Sequence, residues 1–407
     1  MNAPIVLAYS GGLDTSAIVP WLQENYDAPV LCYTADVGQP REDLLGLELR
    51  ARRAGATGSV VEDLRDRFVE EVILPTLKAG AVYARSYLLG TAMARPVVAA
   101  GQATYAREVG AGALAHGCTG KGNDQVRFEL TFQALAPELD VIAPWREWAF
   151  KGREDLLAYL ERRGIPYEAA PEAAYSRDAN LWHCSHEGGV IEDPSQEAPA
   201  DLYLLTADPA AAPDTGEEVS IGFEEGVPTE LDAVPLGPRE IIEQLNEVAA
   251  RHGVGRADVV EDRIVGMKSR GIYETPGGTV LRTAHRELEQ LVLDRRTLEL
   301  KDLLAFRYAD LVYEGRWWTE EREALDGLVA VTQRKVTGVV RVRLFKGSVA
   351  VLSRRSPFSL HQEEYATFNA DAVYDQADAK GFIRLFGLPI RIGGLVGGRA
   401  QVPSEMT

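Results

Sequence analysis

Cysteine is scarce in this sequence: Cys32, Cys118 and Cys184 are all that its 407 residues contain, and they are scattered. Three such residues exclude a disulfide framework and leave no Cys-x-x-Cys metal knuckle, so they read as small hydrophobes in a reducing compartment. No uncharged run approaches the ~18 residues of a membrane span, and the N-terminus lacks the basic start and apolar core of a signal peptide. A cytoplasmic protein with no membrane partner is expected. Positive charge is short as well, with 43 Lys and Arg against 61 Asp and Glu for a net charge of −18. That balance works against an electrostatic nucleic-acid partner.

Apolar material is ample, at 46% hydrophobic residues, and the length implies about two or three domains at ~150 residues each. The acidity is local. Residues 1–165 hold 17 basic and 21 acidic residues (net −4), residues 166–258 hold 4 and 20 (net −16), and residues 259–407 hold 22 and 20 (net +2). The first third alternates strand-like runs (Ile5 to Tyr9, Val30 to Thr34, Ser59 to Val61, Ala113 to Ala115, Val141 to Ala143) with helical patterns (Thr15 to Tyr26, Leu64 to Ala79, Leu88 to Val109, Asp124 to Leu135). That order predicts an α/β fold with a parallel sheet and ligands at the strand carboxyl ends. Beyond residue 166 the pattern is α+β. Hairpins are expected around Glu225-Gly226 and Lys346-Gly347, helices over Pro238 to His252, Thr279 to Arg296 and Leu298 to Tyr313, and a strand near Val259 to Val265.

Directly after the first strand comes Ser10-Gly11-Gly12-Leu13-Asp14-Thr15-Ser16, opening a helix. Small residues let backbone N–H groups approach an anion, three hydroxyls can donate to phosphate oxygens, and the helix N-terminus supplies a favourable dipole. Neither the P-loop spacing nor the dinucleotide fingerprint fits this phosphate cradle. A second glycine-rich segment, His116 to Asp124, follows another strand and offers Lys121, Thr119, Asn123 and Asp124. His183 and His186 flank Cys184, but no further ligand cluster completes a zinc set of ~3 or 4 ligands, so no metal held by protein residues is expected.

The first loop resembles the SGGxDS signature of the ATP pyrophosphatases. More specifically, AYSGGLDTS (Ala8 to Ser16), TADVGQ (Thr34 to Gln39), HGCTGKGNDQVRFE (His116 to Glu129), APW (Ala143 to Trp145) and GMKSRGIYETPGG (Gly266 to Gly278) together resemble the argininosuccinate synthase family. The resemblance runs in register from about residue 4 to residue 386. It implies a ligase that condenses citrulline and aspartate in arginine biosynthesis. ATP would be cleaved to AMP and pyrophosphate through a citrullyl-adenylate, with Mg2+ carried on the ATP phosphates. It also implies an ATP-binding domain over 1–165, a synthetase and multimerisation domain over 166–386, a C-terminal tail over 387–407, and a homotetramer.

Carried over by position, the nucleotide contacts are Ala8, Tyr9, Ser10, Gly11, Gly12, Leu13, Asp14, Thr15, Ser16, Ala35 and Gly117. Citrulline would meet Tyr87, Thr91, Asn123, Arg127, Ser176, Ser185, Glu261 and Tyr273, with Arg127 as carboxylate partner and Glu261 as ammonium partner. Aspartate would meet Thr119, Asn123 and Asp124, and the catalytic set would be Asp124, Arg127 and Lys121. Where some relatives have a serine, this chain has Ala92, which leaves Thr91 to provide the hydroxyl. A thiolation enzyme on the same loop would need a catalytic cysteine pair and a basic RNA-binding face, both missing here. From Gly387 the chain departs from the family's charged terminal helix, and Gly393, Gly394, Gly397 and Gly398 are expected to prevent a stable helix.

Overall fold

The first apolar run, Ile5 to Tyr9, is only five residues long and ends in a Ser-Gly-Gly turn, which suits a buried strand and no helix. In the computed structural model, which describes residues 2–167, 175–366 and 375–397, it forms β1 (Ile5–Ala8). With β2 (Val30–Asp36), β3 (Gly58–Asp63), β4 (Ala113–Ala115) and β5 (Asp140–Ile142) it makes an all-parallel sheet in the order β3-β2-β1-β4-β5. Alternation splits β1 between two cores. Ile5 and Leu7 pack with Ile18 and Leu22 of the helix Leu13–Tyr26, whereas Val6 packs with Val97 and Ala103 of the helix Gly90–Glu108. Both faces of the sheet are therefore covered, as parallel sheets require. Because β1 lies between β2 and β4, the crossovers leave it in opposite directions, and the crevice at its carboxyl end is a topological switch point.

Two antiparallel sheets follow. One joins β6 (Ser176–Ala179), β7 (Cys184–Glu187), β11 (Arg256–Asp262) and β12 (Lys268–Glu274) in the order β11-β12-β7-β6. The other has β8 (Glu217–Glu224), β9 (Val227–Leu231), β10 (Val234–Pro235), β13 (Gly338–Phe345) and β14 (Ser348–Arg355) in the order β10-β9-β8-β13-β14. Both expected hairpins form, with left-handed φ at Glu225-Gly226 (48° and 78°) and Lys346-Gly347 (43° and 83°), the geometry that two-residue turns select. The helix Pro276–Val292 turns Val280, Leu281, Ala284 and Leu288 into the same core as Val219 and Ile221 of β8 and Val340 and Val342 of β13. No helix among the described residues is long and apolar enough to cross a membrane.

Two expectations need correction. The helix expected over Leu64 to Ala79 carries a π-helical turn at Val69–Ile73 between Arg65–Phe68 and Leu74–Ala79. Pro75, at the start of the last piece, offers no N–H and crowds the preceding turn, and a wider turn absorbs that mismatch. In the tail, helices run over Asp378–Phe386 and Leu388–Val396, the second straight through Gly393 and Gly394. Pro389 pre-sets the first helical turn there, and the interior glycines, at about 1 kcal/mol each, do not break it. Gly398 lies outside the described residues. The chain divides into two compact units, Met1–Phe358 and Ser359–Thr407, and everything described below lies in the first.

Candidate active site

A cavity of about 790 Å3 opens at the switch point. The β1 loop forms one end. Gly11 has φ +73°, and a Cβ there would lie 2.4 Å from Leu47 Cδ2, so only glycine fits without displacing its neighbour. Gly12 caps the helix Leu13–Tyr26 with no side-chain acceptor for the first-turn N–H groups, which leaves them for an anion. Ser10 Oγ accepts from Gly12 N at 3.4 Å and shares a hydrogen with Thr15 Oγ1 at 3.2 Å. Arg50 reaches this loop, and its Nε is buried without a partner. A buried unpaired guanidinium donor beside a ring of backbone donors marks an anion site. Burial pushes the Asp14 carboxyl above its ordinary range. Thr34 Oγ1 donates to Tyr9 O at 2.6 Å and fixes the floor where β2 brings Ala35 into the cavity wall.

At the other end, four charged groups interlock. Arg95 Nε donates to Asp124 Oδ2 at 2.9 Å, Arg127 Nη1 donates to Asp124 Oδ1 at 3.0 Å, and Arg95 Nη2 lies 3.0 Å from Asp178 Oδ2. Burial would raise the Asp124 pKa, but the two guanidinium groups outweigh it and hold the carboxyl below its usual range. Thr91 Oγ1 donates to the same Asp178 oxygen at 2.8 Å and sits 3.0 Å from His183 Nε2. Burial takes His183 down to about 4, so it is neutral near pH 7.

The wall facing Asp124 comes from the antiparallel part of the chain. Tyr87 stacks on Tyr273 with ring centroids 4.0 Å apart, and Tyr273 Oη donates to Glu261 Oε1 at 2.9 Å. Glu261 is 6% exposed, its Oε2 is buried with no partner, and burial raises its pKa. A carboxylate oxygen left bare in such a place is an acceptor for a ligand cation. Arg127 Nε donates to Tyr313 O at 2.9 Å, and Asn123 is held on both sides, donating to Tyr313 Oη at 2.9 Å and accepting from Ile264 N at 2.9 Å. The strand period sorts β7: Ser185 and Glu187 line the cavity, while Cys184 and His186 face the other way. There His186 meets Glu274, whose carboxylate also accepts from the backbone N–H groups of Leu204, Leu205 and Thr206 and from the Thr206 hydroxyl. Cys184, His186 and Glu274 converge within 4.8 Å, with the carboxylate already satisfied by these donors.

The cavity lining includes Ala8, Tyr9, Ser10, Gly11, Gly12, Asp14, Thr15, Ala35 and Gly117, and with them Tyr87, Thr91, Thr119, Asn123, Asp124, Arg127, Ser176, Ser185, Glu261 and Tyr273. Three residues singled out in the sequence are not among the lining. Leu13 and Ser16 are buried in the helix beneath the loop, and Lys121 is exposed between the lining residues Thr119 and Gly122. Sequence reasoning missed Arg50, Arg95, Asp178, Glu187, Arg263 and Tyr313. Only Arg95 carried a signal: it lies one helical turn after Thr91, on the same helix face.

Comparison with known proteins agrees with this geometry. A family model described as the arginosuccinate synthase N-terminal HUP domain matches residues 4–166, and one described as the arginosuccinate synthase C-terminal domain matches residues 175–393. The chain is 56% identical to the argininosuccinate synthase of Roseiflexus sp. (strain RS-1), over 98% of both chains. It is 54% identical to the chloroplastic argininosuccinate synthase of Arabidopsis thaliana, over 95% of this chain and 78% of that one. With the argininosuccinate synthase of Pelotomaculum thermopropionicum it shares 56% identity, over 97% of this chain and 98% of that one.

Proposed function

The chain belongs to the argininosuccinate synthase family, and from that premise we propose how its cavity joins citrulline to aspartate at the expense of ATP. One observation carries the proposal: a single cavity has a phosphate cradle at one end and, at the other, an unpartnered buried carboxylate oxygen facing an arginine pair. The triphosphate lies along Ala8 to Ser16 and Gly117 with the adenosine against Ala35, and Arg50 adds a guanidinium donor to the backbone N–H groups. Exposed Lys121, on a flexible stem, is the mobile cation of the second loop and meets phosphate charge at its mouth. Seven carboxylates and five guanidinium groups line the cavity, which leaves a triphosphate without net compensation. Mg2+ carried on the ATP phosphates, with the lining carboxylates as oxygen donors beside it, would supply the missing positive charge.

Citrulline binds with its ammonium on Glu261 Oε2, its carboxylate on Arg127, and hydroxyl contacts from Ser176, Ser185 and Thr91. Tyr87 and Tyr273 flank its chain. In this pose the ureido oxygen faces the α-phosphorus. Its attack forms the C–O–P bond and breaks the bond to pyrophosphate, giving the adenylate. The aspartate amine, held through Thr119, Asn123 and Asp124, then attacks the activated carbon. AMP leaves with the C–O bond electrons, and the amine loses a proton. Asp124, kept anionic by Arg95 and Arg127, orients the incoming ammonium of aspartate and is a weak base, so the proton that frees the amine for attack and the one lost afterwards both pass to solvent. Catalysis comes from positioning and charge neutralisation. The few scattered cysteines support a reducing, cytoplasmic setting, and the exposed apolar side chains of Leu300 and Leu303 support assembly as a homotetramer.

Incubation with ATP, Mg2+, citrulline and radiolabelled aspartate, omitting each in turn, tests the reaction. AMP, pyrophosphate and a labelled condensation product should appear only in the complete mixture. ADP as the nucleotide product would overturn the mechanism.

A further inference from the structure

A second cavity, of about 320 Å3, lies apart from the first and shares no residue with it. Four cationic side chains line it, Arg85, Arg282, Arg286 and Lys301, against two carboxylates, Glu289 and Asp302. Both carboxylates are already engaged: Lys301 Nζ lies 2.9 Å from Glu289 Oε1, with both residues almost fully buried, and Arg286 Nη2 donates to Asp302 at 2.7 Å. Gln333 also donates to Glu289 at 2.8 Å. The side chains of Arg85 and Arg282 take part in no ion pair or hydrogen bond among the described residues. The cavity therefore holds two guanidinium groups in excess of its own anions, beside an apolar wall of Leu77, Val82, Ala305 and Phe306.

We infer that this second cavity binds a small phosphorylated organic molecule, with its phosphate on Arg85 and Arg282 and its carbon skeleton on the apolar wall. Guanidinium forks match phosphate oxygens in geometry and charge, and the volume suits a small metabolite. The backbone gives the site a route to the first cavity. Arg85 sits at the tip of a closed turn in which Tyr83 and Tyr87 exchange backbone hydrogen bonds, each 2.9 Å. Ala84 and Arg85 have φ of 47° and 69°, a costly conformation for residues with side chains. The two tyrosines stack on Tyr313 and Tyr273 in the wall of the first cavity. A phosphate that shifts Arg85 therefore biases Tyr87. This coupling rests on the assignment of citrulline to Tyr87; the binding does not.

Inorganic phosphate is the probe. Titrated against the full-length protein, it should bind, and the Arg85→Ala/Arg282→Ala variant should bind it at least about tenfold more weakly, the loss expected for charge-assisted bonds. An Arg50→Ala variant should lose only the phosphate held at the nucleotide loop and keep the binding that the double variant loses. Both arginines of the double variant are exposed, and its melting temperature should match that of the wild type. Phosphate should also change the citrulline KM of the wild type and leave that of the double variant unaltered. Equal phosphate binding by wild type and double variant, or its loss in Arg50→Ala alone, would overturn the second site. Intact binding with no effect on any substrate KM would remove the coupling and leave the site standing.

Discussion

Replacing Glu261 with Gln isolates the charge of the proposed ammonium acceptor, because the amide keeps the shape and an oxygen for the Tyr273 hydroxyl. Glu261 is buried, receives Tyr273 Oη at 2.9 Å on Oε1, and leaves Oε2 without a donor. A hydrogen bond to a charged group is worth about 1.5–3 kcal/mol, so loss of the charge should raise the citrulline KM about 10- to 150-fold. The kcat and the KM for ATP should stay within about threefold, since the nucleotide loop lies at the other end of the cavity. Substrate-free stability should move the opposite way. Burial raises the Glu261 pKa in spite of Tyr273 and Arg127, so its folded value exceeds its unfolded one. Such a group stabilises fully below the unfolded pKa, and that contribution is lost as pH rises through the folded pKa. Ionised Glu261 is thus a burden on the empty enzyme at neutral pH. The Glu261→Gln variant should melt above the wild type at neutral pH, with the gap closing toward the ordinary glutamate pKa of about 4.3. In the wild type, citrulline binding should weaken as the pH falls through the raised pKa. Initial rates over a citrulline series and melts at two pH values measure these effects. A folded variant whose citrulline KM stays within twofold of the wild type would falsify the assignment.

Asp124→Asn should leave ATP binding intact while raising the aspartate KM roughly 10- to 100-fold, the loss of about one charge-assisted bond; nucleotide affinity and aspartate kinetics measured side by side decide it. Because Asp124 is held anionic, the wild-type pH–rate profile should show no acid limb from this residue near neutrality. Gly11→Ala puts a Cβ 2.4 Å from Leu47 at φ +73°. It should raise the ATP KM and lower the melting temperature, and an unaltered ATP KM would speak against the cradle. Lys301→Met strands the buried Glu289 carboxylate and should cost about 3–5 kcal/mol, read as a shift in the denaturant midpoint.

The parallel sheet was legible because its strands are short apolar runs interleaved with long periodic segments. Both hairpins announced themselves through Glu225-Gly226 and Lys346-Gly347. β6, β7 and β12 did not, because Ser-Arg-Asp-Ala and Cys-Ser-His-Glu carry polar groups on the faces that line the cavity or meet Glu274. Function had replaced the alternation on which strand patterns depend. The phosphate loop was readable since its ligands are consecutive. Arg50, Asp178 and Tyr313 were hidden because they reach the cavity from elements far apart in sequence, and residue spacing does not encode such convergence. The tail helix was harder to read because its glycines mask the helix start that Pro389 provides.

The tie between Arg127 and Tyr313 spans 186 residues, and that between Asn123 and Ile264 spans 141. During synthesis the chain emerges from its N-terminus, and the nucleotide loop is exposed long before either partner exists. Until Tyr313 has left the ribosome, the Arg127 guanidinium lacks the carbonyl that aims it, and Asn123 lacks the hydroxyl that fixes its amide. A nascent chain thus has a cradle for nucleotide without a finished seat for the amino acids. Costly ATP cleavage is deferred until the last wall of the chamber has arrived.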